Sequence, residues 1–221
     1  MTELSSSIEV VARNIILEAG LMAKRMKKKL SIKYKSKSQP VTNADLEINN
    51  LIKDYFKKET PSFGWVSEES KDNYSRFNSE SFWCLDPIDG TRSYISGKPE
   101  YTISLALINK KEPILGLVLN PETEELFFAK KQKGAYCNGK RIMINKNENV
   151  FSSSLAISSS EIKKLKKYNL VNQKNIIEMG SIAYKIALVA KGEVDTAISF
   201  TDKNDWDLAA SDLILKEAGG S

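Results

Sequence analysis

Between Tyr101 and Ile142 the apolar residues fall into short runs, "YTISLALI", "ILGLVL" and "ELFFAK", broken by "NKKEP" and later by Asn138-Gly139. Runs of that length, punctuated by turn residues, fit neither a long helix nor a membrane span. They predict an antiparallel meander with a tight hairpin at the Asn-Gly pair. What precedes them has another period. Ile8, Val11, Ala12, Ile15, Ala19, Met22, Ala23 and Met26 recur at helical spacing, as do Ala44, Ile48, Leu51, Ile52 and Tyr55. Two amphipathic helices are therefore expected, each with an apolar stripe to bury against a sheet. Between them "SIKYKSKSQPVT" reads as a basic hairpin, and "FGWV" and "FWCL" read as short strands. After "NKNENV", polar enough for a boundary, come a strand "SLAIS", a helix around "SEIKKLKKY" and a strand "NIIEM". A helix from Ser181 to Lys191 closed by Gly192, a strand "EVDTAIS" and a helix in "WDLAASDLILKEAGG" complete the chain. The expected class is α/β in two subdomains, residues 1–147 with the meander and residues 148–221.

Composition narrows the chemistry. The chain has no histidine, so an imidazole base and a His-ligated zinc are excluded. Acid-base work must fall to carboxylates, lysine, tyrosine, or hydroxyls helped by a metal. Cys84 lies in the apolar "FWCL" and Cys137 in the turn-rich "YCNG"; they suggest neither a disulfide framework nor a metal spacing. No apolar run approaches the ~18 residues of a membrane helix, and the start "MTELSSSIEV" is not a basic leader. A cytoplasmic protein with no membrane partner is expected. The net charge of +5 is uneven, because Lys24 to Lys37 is basic throughout and holds no acid. That segment would attract phosphate-rich molecules, although a solvated helix end accounts for most of its lysines. Aromatic residues do not interleave it, Tyr34 excepted, so a nucleic acid polymer is not an expected partner.

Several acids sit where periodic structure stops. Glu68 and Glu69 follow "FGWV", Asp86 and Asp89 follow "FWCL", and Asp207 begins the last helix. Loops at one edge of an α/β sheet converge, so such residues can meet. Carboxylates brought within a few Å of each other repel, and a hard cation with oxygen ligands, Mg²⁺ above all, relieves that repulsion. In "DPIDGT" Pro87 fixes a turn between the two aspartates, while Gly90 lets the backbone pass close to a ligand. Plainer readings stand beside this one. Asp86 can simply end a strand, Asp89-Gly90 can be a turn pair, Asp207 can serve the helix dipole, and Asp45 can close a capping box with Thr42.

Taken together, "PVTNAD", "GWVSEES", "WCLDPIDGT" and "WDLAASDLILKEAGG", in this order, resemble the signature segments of the inositol monophosphatase family of Mg²⁺-dependent phosphatases, which is related to fructose-1,6-bisphosphatase. The resemblance implies an αβαβα sandwich, truncated here at its C-terminal end because the family continues past "EAGG" whereas this chain stops at Ser221. It implies two or three Mg²⁺ ions. Glu68, Asp86 and the Ile88 carbonyl would hold one, and Asp86, Asp89 and Asp207 a second. Glu68, with Thr91 paired to Asp45, would activate the attacking water, and the amides of Gly90 and Thr91 would hold the phosphate. Lys35 or Lys37 would reach the phosphate or a further ion. The implied reaction is hydrolysis of a small phosphate ester by metal-activated water, in a monomer or a homodimer.

Two departures bear on the substrate. In the inositol-1-phosphate enzymes a glutamate lies seven positions before the "WD" aspartate, and here that position is Phe200. "KPEYTISLALI" and "SQPVTNAD" look more like the bacterial 3'(2'),5'-bisphosphate nucleotidase branch, yet "DGTRSY" has Arg92 and Ser93 where that branch carries Lys and Glu. The expected substrate is a bisphosphate nucleotide or an inositol monophosphate. The alternatives are histidinol phosphate, or a non-catalytic phosphate-binding role.

Overall fold

The computed structural model describes residues 6–36, 39–147, 152–166 and 175–221. The first amphipathic pattern forms α1 (Ser6–Met26), and the basic hairpin forms β1 (Ile32–Ser36) and β2 (Gln39–Thr42), paired antiparallel. Lys37 falls outside the described residues. The second pattern forms α2 (Asn43–Glu59), opened by a capping box in which Thr42 and Asp45 satisfy each other's backbone amides. At its other end Thr60 caps the helix and accepts a hydrogen bond from the Trp83 indole (3.0 Å), whose ring stacks on Phe56 at 3.9 Å.

The large sheet contains β3 (Gly64–Ser67), β4 (Ser81–Asp89), β5 (Thr102–Asn109), β6 (Glu112–Asn120), β7 (Glu125–Lys130), β8 (Ala135–Cys137) and β9 (Lys140–Ile142), in that spatial order. The meander is antiparallel as expected, whereas β3 runs parallel to β4. Parallel pairing delivers the C-terminal ends of both strands, and the acids after them, to one edge. A short helix α3 (Thr91–Ile95) follows β4. Beyond the meander come β10 (Leu155–Ile157), α4 (Ser159–Lys166), β11 (Ile176–Glu178), α5 (Ile182–Lys191), β12 (Thr196–Ala197) and α6 (Asp205–Glu217). The end of the expected "SEIKKLKKY" helix lies outside the described residues. β10, β11 and β12 form a parallel sheet ordered β11-β10-β12. The strand expected over "EVDTAIS" shortens to Thr196–Ala197.

The large sheet is covered on both faces, which is why its strands read as nearly unbroken apolar runs. Trp83, Leu85, Leu105, Leu107, Leu117 and Phe128 point toward Ile15, Ile16, Ala19, Ile48 and Ile52 of α1 and α2. The alternate residues Cys84, Ala106, Val118, Phe127 and Ala129 point toward α5 and α6. On that second face Ala106, Gly116 and Ala129 lie side by side across β5, β6 and β7. The three small residues form a trough, and α6 lies in it.

A side chain at Gly116 would place its Cβ 2.7 Å from the Ala210 carbonyl oxygen and 3.1 Å from its Cα, against backbone that cannot swing aside. Gly116→Val should therefore push α6 off the sheet and cost roughly 1–3 kcal/mol. Thermal unfolding should record this as a midpoint lowered by about 2–10 °C; an unchanged midpoint would mean that the helix is not seated as described.

Candidate active site

In a regular strand, residues three apart point to opposite faces of the sheet. Asp86 and Asp89 do not. Asp86 pairs with Ser104 and Asp89 with Thr102, so three steps along β4 match two along β5. The extra residue is a β-bulge, and it brings the two carboxylates to the same side. Pro87 sits in the bulge, where the missing N–H deprives no ladder partner, and the Ile88 amide donates to Asp86 Oδ1 at 3.0 Å. The expected turn between the aspartates is thus a bulge, and the strand runs on through Asp89. Gly90 then takes φ 91° as the cap of α3, with Ser181 N and Glu100 O each 3.0 Å from where a Cβ would stand. A left-handed backbone in so tight a place requires glycine.

The trough brings the start of α6 to the same point. Oxygens of Asp86, Asp89 and Asp207 all lie within 4.8 Å of one another. Each aspartate commits one oxygen to the protein. Asp86 Oδ1 accepts from Ile88; Asp89 Oδ2 accepts from the Ser181 hydroxyl (2.6 Å) and the Ala183 amide (2.7 Å); Asp207 Oδ2 accepts from the Asn204 amide (2.7 Å). The Asn204 side chain bonds Asp207 as well. Asp86 and Asp89 are buried. Burial raises the pKa of all three. The charges of Glu68, Asp89 and Asp207 raise Asp86 further, that of Asp207 helps bring Asp89 to about 6, and that of Glu68 adds to Asp207. An all-oxygen donor set of crowded carboxylates is the chemistry of a hard divalent cation site.

Glu68 lies near this cluster without joining its tightest part. Its amide donates to Leu85 O at 3.2 Å, next to Asp86, while its carboxylate accepts from Lys35 at 3.1 Å. Lys35 also bonds the largely buried Glu69 at 2.6 Å, so the basic hairpin is fastened to the glutamate turn. Burial alone would depress the Lys35 ammonium, but the bonds and charges of Glu69 and Glu68 outweigh it and raise its pKa. Asp45 makes both of its expected contacts. Its Oδ2 closes the α2 capping box, and its Oδ1 accepts from the Thr91 hydroxyl at 3.3 Å. The same hydroxyl lies 3.1 Å from the Ile88 carbonyl. Burial raises the Asp45 pKa.

Three further groups near the site, Ser181, Lys185 and Lys203, carry no motif in the sequence. Ser181 was legible only as a helix start, and its hydrogen bond to Asp89 spans the two halves of the chain. Lys185 is buried, donates to Ile198 O at 3.4 Å, and interacts electrostatically with Asp89 and Glu161. Lys203, just before α6, acts on Asp89 and Asp207 as a nearby positive charge. Phe200 is exposed, and its amide is held at 2.6 Å by the buried Glu161.

Residues 4–221 match the inositol monophosphatase family. The chain belongs to that family. With membership comes the chemical class, phosphoric monoester hydrolase. A fructose-1,6-bisphosphatase/inositol-1-monophosphatase of Aquifex aeolicus is 34% identical over 201 residues, 87% of this chain and 75% of that protein. An inositol monophosphatase of Dictyostelium discoideum is 31% identical over 200 residues, 86% of this chain and 73% of that protein. Among solved structures, the extragenic suppressor protein suhB of Bartonella henselae superposes with a TM-score of 0.87 at 26% identity, covering 97% of this chain and 86% of that one. A Thermotoga maritima IMPase superposes at 0.85 with 27% identity, covering 98% and 84%. The αβ layering around a large mixed sheet is that of the inositol monophosphatase fold. No helix among the described residues is long and apolar enough to cross a membrane.

The raised aspartate pKa values have a consequence for the metal-free protein. The folded state holds protons that the unfolded state releases, so stability falls as pH rises from about 4, the unfolded carboxyl value, through the Asp89 value of about 6. Asp89→Asn should raise the thermal midpoint in chelator by a few degrees at pH 8, with the gain vanishing as pH falls to about 4. Equal midpoints for the two proteins at pH 8 would show that Asp89 carries no such burden.

Proposed function

We propose that the protein is a Mg²⁺-dependent phosphomonoesterase acting on a small phosphorylated metabolite, a 3'(2'),5'-bisphosphate nucleotide or an inositol monophosphate. The observation that carries this reading is the meeting of Asp86, Asp89 and Asp207 within 4.8 Å, two of them buried. Glu68, Asp86 and the Ile88 carbonyl would hold one ion, and Asp86, Asp89 and Asp207 another. Four carboxylates balance the charge of two such ions. Magnesium, when bound, supplies Lewis acidity that offsets the carboxylates, eases the ionisation of water and draws charge from the phosphate.

The remaining work falls to the chain's own groups. The Thr91 hydroxyl hydrogen is directed at Asp45 and the Ile88 carbonyl, which leaves its lone pairs to accept a hydrogen bond from the attacking water. Glu68 would take the proton of that water. The amides of Gly90 and Thr91, at the start of α3, would hold the phosphate oxygens. Attack at phosphorus breaks the ester P–O bond, and the proton taken by Glu68 returns through solvent to the departing alkoxide, giving inorganic phosphate and the free alcohol.

For the leaving group, the two cations near Asp89, Lys185 and Lys203, favour a substrate with a second anionic group. Exposed Phe200 offers no acceptor for a ring hydroxyl. Both features lean toward the nucleotide. The names of the relatives bring inositol monophosphate and fructose-1,6-bisphosphate into consideration.

Wild-type protein with Mg²⁺ should release phosphate from p-nitrophenyl phosphate, and Asp89→Asn should do so at least ~10²-fold more slowly, since even an outer-shell partner of a metal site is commonly worth 10–100-fold. Comparison of kcat/KM for adenosine 3',5'-bisphosphate, inositol-1-phosphate, histidinol phosphate and fructose-1,6-bisphosphate should place the nucleotide first. A preference for inositol-1-phosphate would overturn that ranking, and no Mg²⁺-dependent release from any of the four would overturn the phosphatase reading.

A further inference from the structure

We infer that Asn49 is a positioning residue for Glu68, an inference that rests on the reading of Glu68 as metal ligand and proton acceptor. Glu68 and Glu69 are the two central residues of a turn whose ends are Ser67 and Ser70, closed by the Ser70 amide on the Ser67 carbonyl at 3.3 Å. Both end hydroxyls donate to one atom. Asn49 Oδ1 accepts from Ser67 Oγ at 2.8 Å and from Ser70 Oγ at 3.1 Å.

With their hydrogens committed to Asn49, the two hydroxyls act as acceptors toward the turn. Ser67 Oγ takes the Glu69 amide at 3.3 Å, and Ser70 Oγ takes the Trp65 indole N–H at 3.2 Å. One buried carbonyl oxygen, on a side chain 3% exposed, thus sets the polarity of the serine bonds at both ends of this turn, while Lys35 holds its two glutamates from outside. The helix behind it is the same one that grips the site elsewhere. Asp45 and Asn49 are one turn apart on α2 and share a face; Asp45 holds Thr91, and Asn49 holds the glutamate turn. The distance between the water-orienting hydroxyl and the proton acceptor is therefore set by four residues of helix.

Calorimetric titration with Mg²⁺ and steady-state kinetics on p-nitrophenyl phosphate test this in wild type, Asn49→Leu, Asn49→Asp, Glu68→Gln and the Asn49→Leu/Glu68→Gln pair. Asn49→Leu should weaken Mg²⁺ binding about tenfold and lower kcat with little change in KM. Asn49→Asp, which keeps the acceptor, should recover most of the affinity. In the Glu68→Gln background Asn49→Leu should have no further effect on Mg²⁺ binding. A folded Asn49→Leu protein that binds Mg²⁺ like wild type, or an equal loss with and without Glu68, overturns the inference. Should Asn49→Leu fail to fold, Ser70→Ala takes its place in the same cycle, and unchanged Mg²⁺ affinity there overturns it as well. Wild-type protein that binds no Mg²⁺ fails the metal-site reading itself, a result separate from either of these.

Discussion

Three carboxylates, two of them shut away from water, are held together here against their own repulsion. Local bonds from Ile88, Ser181, Ala183 and Asn204 orient them, but do not by themselves bring the start of α6 to the end of β4. The force is supplied at a distance, by apolar burial on the second face of the large sheet, where α6 settles into the trough formed by Ala106, Gly116 and Ala129. Dispersion and burial along that helix are non-directional and plentiful, so the fold can carry a locally unfavourable charge arrangement. A divalent cation placed among these oxygens would relieve that repulsion.

The helices that frame this site are also capped by it. Asp45 and Asp207 each occupy the third position of their helix, and each closes a capping box with one oxygen. Asp45 turns its second oxygen to Thr91, and Asp207 also brings a carboxylate oxygen within 4.8 Å of the other two aspartates. Structural and chemical uses of a carboxylate are not rivals at these positions, because the group has two oxygens and the cap needs only one. The capping bond also fixes the side-chain torsion, so the oxygen facing the site is held without a further residue.

Much of this was legible in the residues, and the limits of legibility are physical. Helical spacing revealed α1 and α2 because one face of each is buried, and the apolar runs revealed the meander because that sheet is covered on both sides. The acids at strand ends were visible as a group, since termini are where polar residues interrupt apolar patterns. Which acids come closest was not visible. Glu68 stands apart from the closest three and leans on Lys35, and that depends on a hairpin whose reach the spacing does not encode. Ser181 and Ala183, the donors to Asp89, lie more than ninety positions away in sequence; a small residue and a backbone amide carry no chemical signature. The shortened β12 shows the converse case, a run with strand propensity that becomes a loop where it feeds the start of α6.

The bulge in β4 ties function to the number of residues in a strand as well as to their kinds. Asp86 and Asp89 share a side only because the count between them is out of step with the neighbouring strand. Removing a single residue from "PI" would set the aspartates two apart, still on one side of a regular strand, but it would erase the bulge and with it the present places of the Ile88 amide that bonds Asp86 and of the Ile88 carbonyl beside Thr91. A one-residue change in length between the aspartates therefore reshapes the site while every carboxylate is kept.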